Sequence, residues 1–367
     1  MVNKHISLED LFADIADAIR EKTGDTETIP PAEFPSMIRE KLQITQTAPP
    51  LPCLTFRSPN SFTLEVSDMT KHWNGTLEYS TDKRKWTVWN GRTVLSSDIS
   101  GSNNVLHLRG TGNTVITGDY SGAIGDSSKY KWVLIGSDIV CSGNIETLLD
   151  CATVRAGNHP TMASYCYHSM FEDCESLIAA PRLPATTLTP SCYDEMFQGC
   201  KNLTITPDLP ATTLADHCYH SMFKDCTNLI TVPALPSTTL DSNCYERMFQ
   251  GCLALTTVPA LPATTLAENC YNNMFKNCAN LIAIPALPAT TLTNNCYHEM
   301  FQGCLKLELS SNNIGKYTLP YRIPTTGDGT TALLALTDMF DLTGGLFKGT
   351  PDINTTYYLS DTNTIVD

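Results

Sequence analysis

The 367-residue chain is 42% hydrophobic and carries a formal net charge of −14, with 24 basic against 38 acidic residues. That is enough apolar side chain for two or three packed cores, and it excludes a nucleic-acid surface, which needs clustered Lys and Arg. No run approaches the roughly 20 apolar residues of a membrane span, so no membrane insertion is expected. The opening MVNKHISLEDLFADIADAIREK lacks the unbroken apolar stretch of a signal peptide. Folding in the cytoplasm is expected, with the fifteen cysteines kept as thiols.

Residues 7–22 have the pattern of a short amphipathic helix. Ser7 is placed to cap it, Leu8, Leu11, Phe12, Ile15 and Ile19 share one face, and Gly24 stops it. A weaker second pattern runs through Phe34, Met37, Ile38 and Leu42. Two short helices cannot bury so much apolar side chain alone, so residues 1–42 read as an attachment or oligomerisation segment that docks on another chain or on copies of itself. Residues 43–52, QITQTAPPLP, have linker composition. From 53 to 135, short runs such as LTFRS, FTLEV, TLEYS and KWTVW alternate with Gly, Asn, Asp and Ser turns and predict a small β-sandwich. All four tryptophans fall there, and Trp in a small β-domain is expected in the core more often than on a sugar-binding platform.

The rest of the chain is governed by a period. Cysteines stand at 166, 192, 218, 244, 270 and 296, and a second series at 174, 200, 226, 252, 278 and 304, both stepping by 26 residues without an insertion. Such self-similarity marks a solenoid whose units bury their apolar faces only against their neighbours. In the unit starting at Cys166, the residues Cys166, Tyr167, Met170, Phe171 and Cys174 fall at helical spacing, and Leu177, Ala180 and Leu183 follow at a different spacing, read as a short strand closed by proline. Cys166, Met170, Phe171, Cys174, Leu177 and Leu183 are the expected repeat core. Residues 136–165 would be the amino-terminal cap, 166–307 the six units, and 308–367 the closing cap and tail, with TDMFDLTGGL at 337–346 a degenerate echo of the unit. A 52-residue superperiod overlies the 26: the pair after Met-Phe runs Glu172-Asp173, Gln198-Gly199, Lys224-Asp225, Gln250-Gly251, Lys276-Asn277, Gln302-Gly303. The predicted class is a multidomain α+β protein, a helical segment followed by a β-sandwich and a leucine-rich-repeat solenoid with a helix and a short strand per unit.

The pattern CYxxMFxxCxxLxxxPxLPATTL resembles the cysteine-containing, BspA-like class of leucine-rich repeats found in bacterial surface proteins and in phages of gut bacteria. LFADIADAIREKTGDTETIPPAEFPSMIREKL is similar to an amino-terminal segment of phage tail and baseplate proteins of Gram-positive hosts, and GTPDINTTYYLSDTNTIV has the same character. These resemblances imply a virion protein of the tail or baseplate, assembled in the bacterial cytoplasm. They imply attachment to other virion proteins through the first helices, homo-oligomerisation, and a repeat array turned outward as an adhesin for a host-surface glycan or protein. A head or neck decoration protein, or a bacterial cell-surface adhesin, is the alternative.

Enzymatic chemistry is not expected. No nucleophile is paired with a base, and no two carboxylates stand out from the scattered acids. One cysteine pair per unit at spacing eight is poor metal-ligand spacing, so no metal or cofactor is expected, and buried thiols packing as small hydrophobes account for both series. His168, His220 and His298 occupy one repeat position where other units place Asp194, Glu246 and Asn272, which reads as a solvent-exposed position. On the strand face, the position before the last leucine varies at Arg182 and Asp208 and is Ala in the next three units. Arg182 and Asp208 are therefore the expected ligand contacts.

Overall fold

Strands β1 (Leu54–Arg57) to β8 (Ile139–Ser142) stand where the sequence alternates, with Leu54, Phe56, Leu77, Leu106 and Leu108 fully buried and the intervening Thr55 and His107 covered as well. β3 (Thr76–Ser80), β4 (Thr87–Trp89), β6 (Val105–Thr111), β1 and β8 build one antiparallel sheet. β2 (Thr63–Val66), β5 (Leu95–Ser96) and β7 (Trp132–Ile135) build a second, three-stranded one. Trp89 and Trp132 meet edge-on at 5.5 Å and Trp73 lies 5.1 Å from Trp89, so strands of both sheets share one aromatic core. Trp86 stays at the surface under the Arg109 guanidinium, 4.0 Å from its ring. The computed structural model describes residues 50–97, 104–118, 131–323 and 332–367. The proposed attachment face, Leu8, Leu11, Phe12, Ile15 and Ile19, lies outside the described residues.

The helix-plus-strand solenoid expected for 166–307 is not what forms, and the α+β class is corrected with it: the described residues are mostly β, with a single α-helix, α1 (Thr147–Arg155), which lies in the expected cap rather than in a repeat. The CYxxMFxxC stretch is instead a run of turns with a residue of positive φ at every fourth position, as at Tyr165, Ser169 and Asp173 (59°, 50° and 58°) and again at Asn269, Asn273 and Asn277. Alternate amides do different work. His168, Met170, Glu172 and Cys174 donate to the carbonyl three residues back, whereas Tyr167, Ser169, Phe171 and Asp173 donate to Cys192, Asp194, Met196 and Gln198 of the next unit at 2.7–2.9 Å.

Apolar spacing misleads here for a simple reason. A four-residue turn and a 3.6-residue helical turn differ by less than one residue over two turns, so both put Cys166, Met170 and Cys174 in line. What separates them is where the amides go. An α-helix keeps its N–H groups to itself, but half of these are committed to the neighbouring unit, which offsets the roughly 1 kcal/mol that a left-handed conformation costs a residue with a Cβ.

The second half of each unit is also less regular than expected. Only β9 (Leu177–Ala179) and β10 (Ala283–Pro285) are strands, and single bridges such as Thr187 with Thr213 and Thr239 with Thr265 join the other turns. The two prolines of each PxLP segment supply no N–H and break up any longer ladder. β9 nevertheless adds to β8 in parallel, so the larger sheet of the sandwich extends into the first unit.

Stacking is most regular in the core. Phe171, Phe197, Phe223, Phe249, Phe275 and Phe301 form a column with ring centroids 5.6–5.7 Å apart. A parallel column of tyrosines runs from Tyr167 to Tyr297 at 5.6–5.8 Å. Cys166, Met170, Phe171, Cys174, Leu177 and Leu183 are all buried. The phenylalanine column is sealed at its start by Trp132 (6.2 Å from Phe171) and Phe56 (6.1 Å). At its far end Phe340 of the degenerate echo stacks on Phe301 at 5.8 Å. Tyr297, Glu299, Phe301 and Gly303 donate to Ala335, Thr337, Met339 and Asp341, so 335–341 is a seventh rung, reached after a 13-residue insertion. β11 (Glu308–Ser310), β12 (Tyr317–Arg322), β13 (Gly344–Gly345) and β14 (Thr356–Ser360) close that end as a four-stranded sheet, while β15 (Thr364–Val366) pairs with β10. From Pro52 onward the described residues belong to one compact unit. None of their helices is long and apolar enough to cross a membrane.

The superperiod has a steric cause. Asp173, Asp225 and Asn277 adopt positive φ, and a Cβ built on the next rung at Gly199, Gly251 or Gly303 would fall on their side-chain Oδ1. Each Asx carboxylate or amide oxygen lies where a side chain on the next rung would begin, so glycine is the residue that fits there without moving it, in keeping with the alternation.

Candidate interaction surface and the cysteine columns

All fifteen cysteines are free and only Cys53 is partly exposed. Each second-series thiol has a defined task. Cys200 Sγ donates to the Phe171 carbonyl at 3.0 Å, and Cys226, Cys252, Cys278 and Cys304 repeat the contact with Phe197, Phe223, Phe249 and Phe275 at 3.1 Å. Cys174 opens the series on the Trp132 carbonyl. The same Phe171 oxygen also accepts the Cys174 amide, so the thiol satisfies its second lone pair across the gap between rungs. Burial pushes these thiols up, Cys174 and Cys278 to about 12, which removes the thiolate that nucleophilic or redox chemistry requires.

Polar chemistry gathers instead on the turn face, in the positions between Tyr and Met. Read down the rungs, one position runs His168, Asp194, His220, Glu246, Asn272, His298. The expectation that this position is solvent-exposed is corrected: Asp194 and Glu246 are buried, at 8% and 9% exposure, because each lies between side chains of the rungs above and below. His220 Nδ1 donates to Asp194 Oδ1 at 2.7 Å. On the other side, His168 Nε2 stands 3.8 Å from Asp194 Oδ2 and 3.9 Å from Glu195 Oε2. Glu195 is held by Ser169 Oγ at 3.2 Å. Burial alone would lower the His220 pKa, but the hydrogen bond and charge of Asp194 outweigh it and hold the pKa above its ordinary value. Further along the column the partners are weaker: His298 Nδ1 lies 3.3 Å from the Asn272 amide oxygen.

Beside this column, asparagines link rungs in the same way, Asn269 Nδ2 donating to Asn243 and Asn243 Nδ2 to Asp216, both at 3.0 Å. Arg182 and Asp208, the residues singled out on the strand face, are exposed and stand one rung apart at one repeat position, with the Arg182 amide tied to Gly143 at 2.8 Å. The His–acid cluster escaped the sequence reading because His168, Asp194 and His220 lie 26 residues apart and no short window along the chain shows them together. The sequence does set His168, Asp194 and His220 at one repeat position, but the variety of residue types there reads as exposure, and only the stacking of the rungs shows that they meet. Comparison with known proteins adds no relative: no family model, no curated protein and no solved structure matches the chain.

Proposed function

We propose that the chain is a structural protein of a phage tail or baseplate whose stacked array is displayed outward and binds the host surface. The observation that carries the binding half of this reading is the array itself. Seven rungs are joined by backbone hydrogen bonds and sealed at both ends, and the core columns are nearly invariant while the turn-face positions change from rung to rung. A rigid support with variable surface positions suits recognition. The virion half rests on the similarity of residues 11–42 to tail and baseplate segments, and gives those residues the task of joining other virion proteins. Arg182 and Asp208 on the strand face, both exposed, are the residues offered to a host glycan or protein.

Immunogold labelling of purified particles with antibody against residues 166–304 tests it. Gold at the tail tip is the expected result. Gold on the head or neck would make the chain a decoration protein, and label confined to intact cells would overturn the virion reading.

A further inference from the structure

Two imidazoles and two carboxylates converge on the first three rungs, and ion pairing accounts for only part of their geometry. Asp194 shows one carboxylate oxygen to each histidine. The His220 side is a hydrogen bond at 2.7 Å, but His168 Nε2, at 3.8 and 3.9 Å from oxygens of Asp194 and Glu195, is beyond hydrogen-bond range of both. Ligand atoms of Asp194, Glu195 and His220 all lie within 4.8 Å of one another. Ligands about 2.0–2.2 Å from a tetrahedral zinc are about 3.3–3.6 Å apart, so the observed separations straddle what a shared ion requires. Imidazole and carboxylate together suit a divalent first-row transition metal rather than calcium or magnesium, which take all-oxygen shells.

We propose that Asp194, Glu195 and His220, with His168 as a fourth ligand, form a binding site for one divalent transition-metal ion of the zinc type, clamping the first three rungs together. The ion takes the place of the proton that His220 Nδ1 shares with Asp194 Oδ1; that proton leaves to solvent from an imidazolium, or moves to Nε2 from a neutral ring, so that His220 binds as a neutral imidazole protonated on Nε2. His220 Nδ1 and the Asp194 oxygen, now 2.7 Å apart, separate by roughly 0.6–0.9 Å to reach the ligand spacing, and His168 Nε2 closes in from the neighbouring rung. The inference is independent of whether the chain belongs to a virion. The molecule also carries its own control, since His298 faces an amide oxygen of Asn272 at the same repeat position, and an amide is a far poorer ligand than a carboxylate. The buried thiols do not compete, and Cys53 is removed from the question by Cys53→Ser.

The test is titration of the full Cys53→Ser chain with Zn2+ by calorimetry, and with Co2+ by visible absorption, at pH 7.5. One equivalent should bind, with a Co2+ spectrum that lacks thiolate charge-transfer bands. Affinity should fall at least tenfold in Asp194→Asn and in His220→Gln, fall less in His168→Gln, and stay unchanged in His298→Gln and in Asp216→Asn, whose carboxylate meets the half-buried His217 at 2.9 Å. Circular dichroism of each variant checks that the array still folds. Equal binding by the parent and by folded Asp194→Asn, loss on Asp216→Asn instead, or no binding by the parent would each overturn the proposal and leave the column an ion-pair ladder.

Discussion

The sandwich and the array bury similar side chains but depend on different partners. In the sandwich a strand pairs with others of the same small domain through ordinary antiparallel ladders, β3 with β4 and β6, β2 with β5 and β7, and its core mixes Trp, Phe, Leu and Val. In the array a turn segment keeps half of its amides for the next unit, and its core is the same few residues stacked in columns. One region is stabilised by a shared interior, the other by interfaces between neighbours, and the second kind should break locally.

The largest effect should come from cutting the column. Phe223 is fully buried, between Phe197 and Phe249 at 5.7 Å on either side. Phe223→Ala should cost about 3–5 kcal/mol. Because rungs touch only their neighbours, denaturant unfolding followed by circular dichroism should resolve into two transitions. A single transition shifted as a whole would mean that sandwich and array share one cooperative unit, and the contrast drawn above would fail.

The two regions also differed in how plainly they could be read. Alternation in LTFR and TLEYS requires strands, since period two has no rival, and these strands sit where the pattern puts them. In the array the 26-residue unit and its buried positions were legible from the cysteines alone, but the local conformation was not, because four-residue turns and helical turns align the same apolar residues. The discriminating signal was present in Asn269, Asn273 and Asn277, and in Asp173, Gly199 and Asp225: residue types that tolerate positive φ, at intervals of four along the chain or 26 down the rungs. The His–acid cluster left no local trace at all.

Next in size is the Asx–Gly interlock. Gly199→Ala meets both a positive φ of 70° and the Asp173 carboxylate, whereas Gly157→Ala, at φ 81°, meets nothing within 4 Å. Strain alone should cost about 1 kcal/mol at Gly157, and Gly199→Ala should cost about 2–3 kcal/mol, strain plus overpacking. Adding Asp173→Gly should recover the difference, leaving only strain. A double variant no more stable than Gly199→Ala would show that the superperiod records ancestry and not packing.

Thiol labelling sharpens the contrast at about 1 kcal/mol. Cys226→Ala removes a donor from the buried Phe197 carbonyl and should destabilise the array by about that amount, while Cys226→Ser, which keeps a donor, should lose less. In the native chain an aromatic disulfide reagent should titrate Cys53 rapidly and the other cysteines only on unfolding. Rapid labelling of several thiols would mean that the rungs open far more readily than their hydrogen bonds imply.

Acid and base should pull the two regions in opposite directions. His107 of the sandwich is buried and bonded to Thr55 Oγ1 at 2.9 Å; desolvation, aided by the charges of Lys83 and Arg57, lowers its pKa to about 4. An unfolded histidine takes up its proton near 6.5, so the stability this residue contributes is present above pH 6.5 and lost as pH falls towards 4, a change on the order of 2 kcal/mol. His220 of the array has the reverse sign. Its folded pKa is raised, so its contribution is full below pH 6.5 and disappears as pH climbs through the folded value. Denaturation midpoints measured from pH 4 to 9 should therefore separate the two: His107→Gln should flatten the acid limb, and His220→Gln the decline that begins above pH 6.5. If His220→Gln altered the acid limb instead, the Asp194 contact would not be holding the imidazolium, and the cohesion of the first three rungs would have to come from their backbone alone.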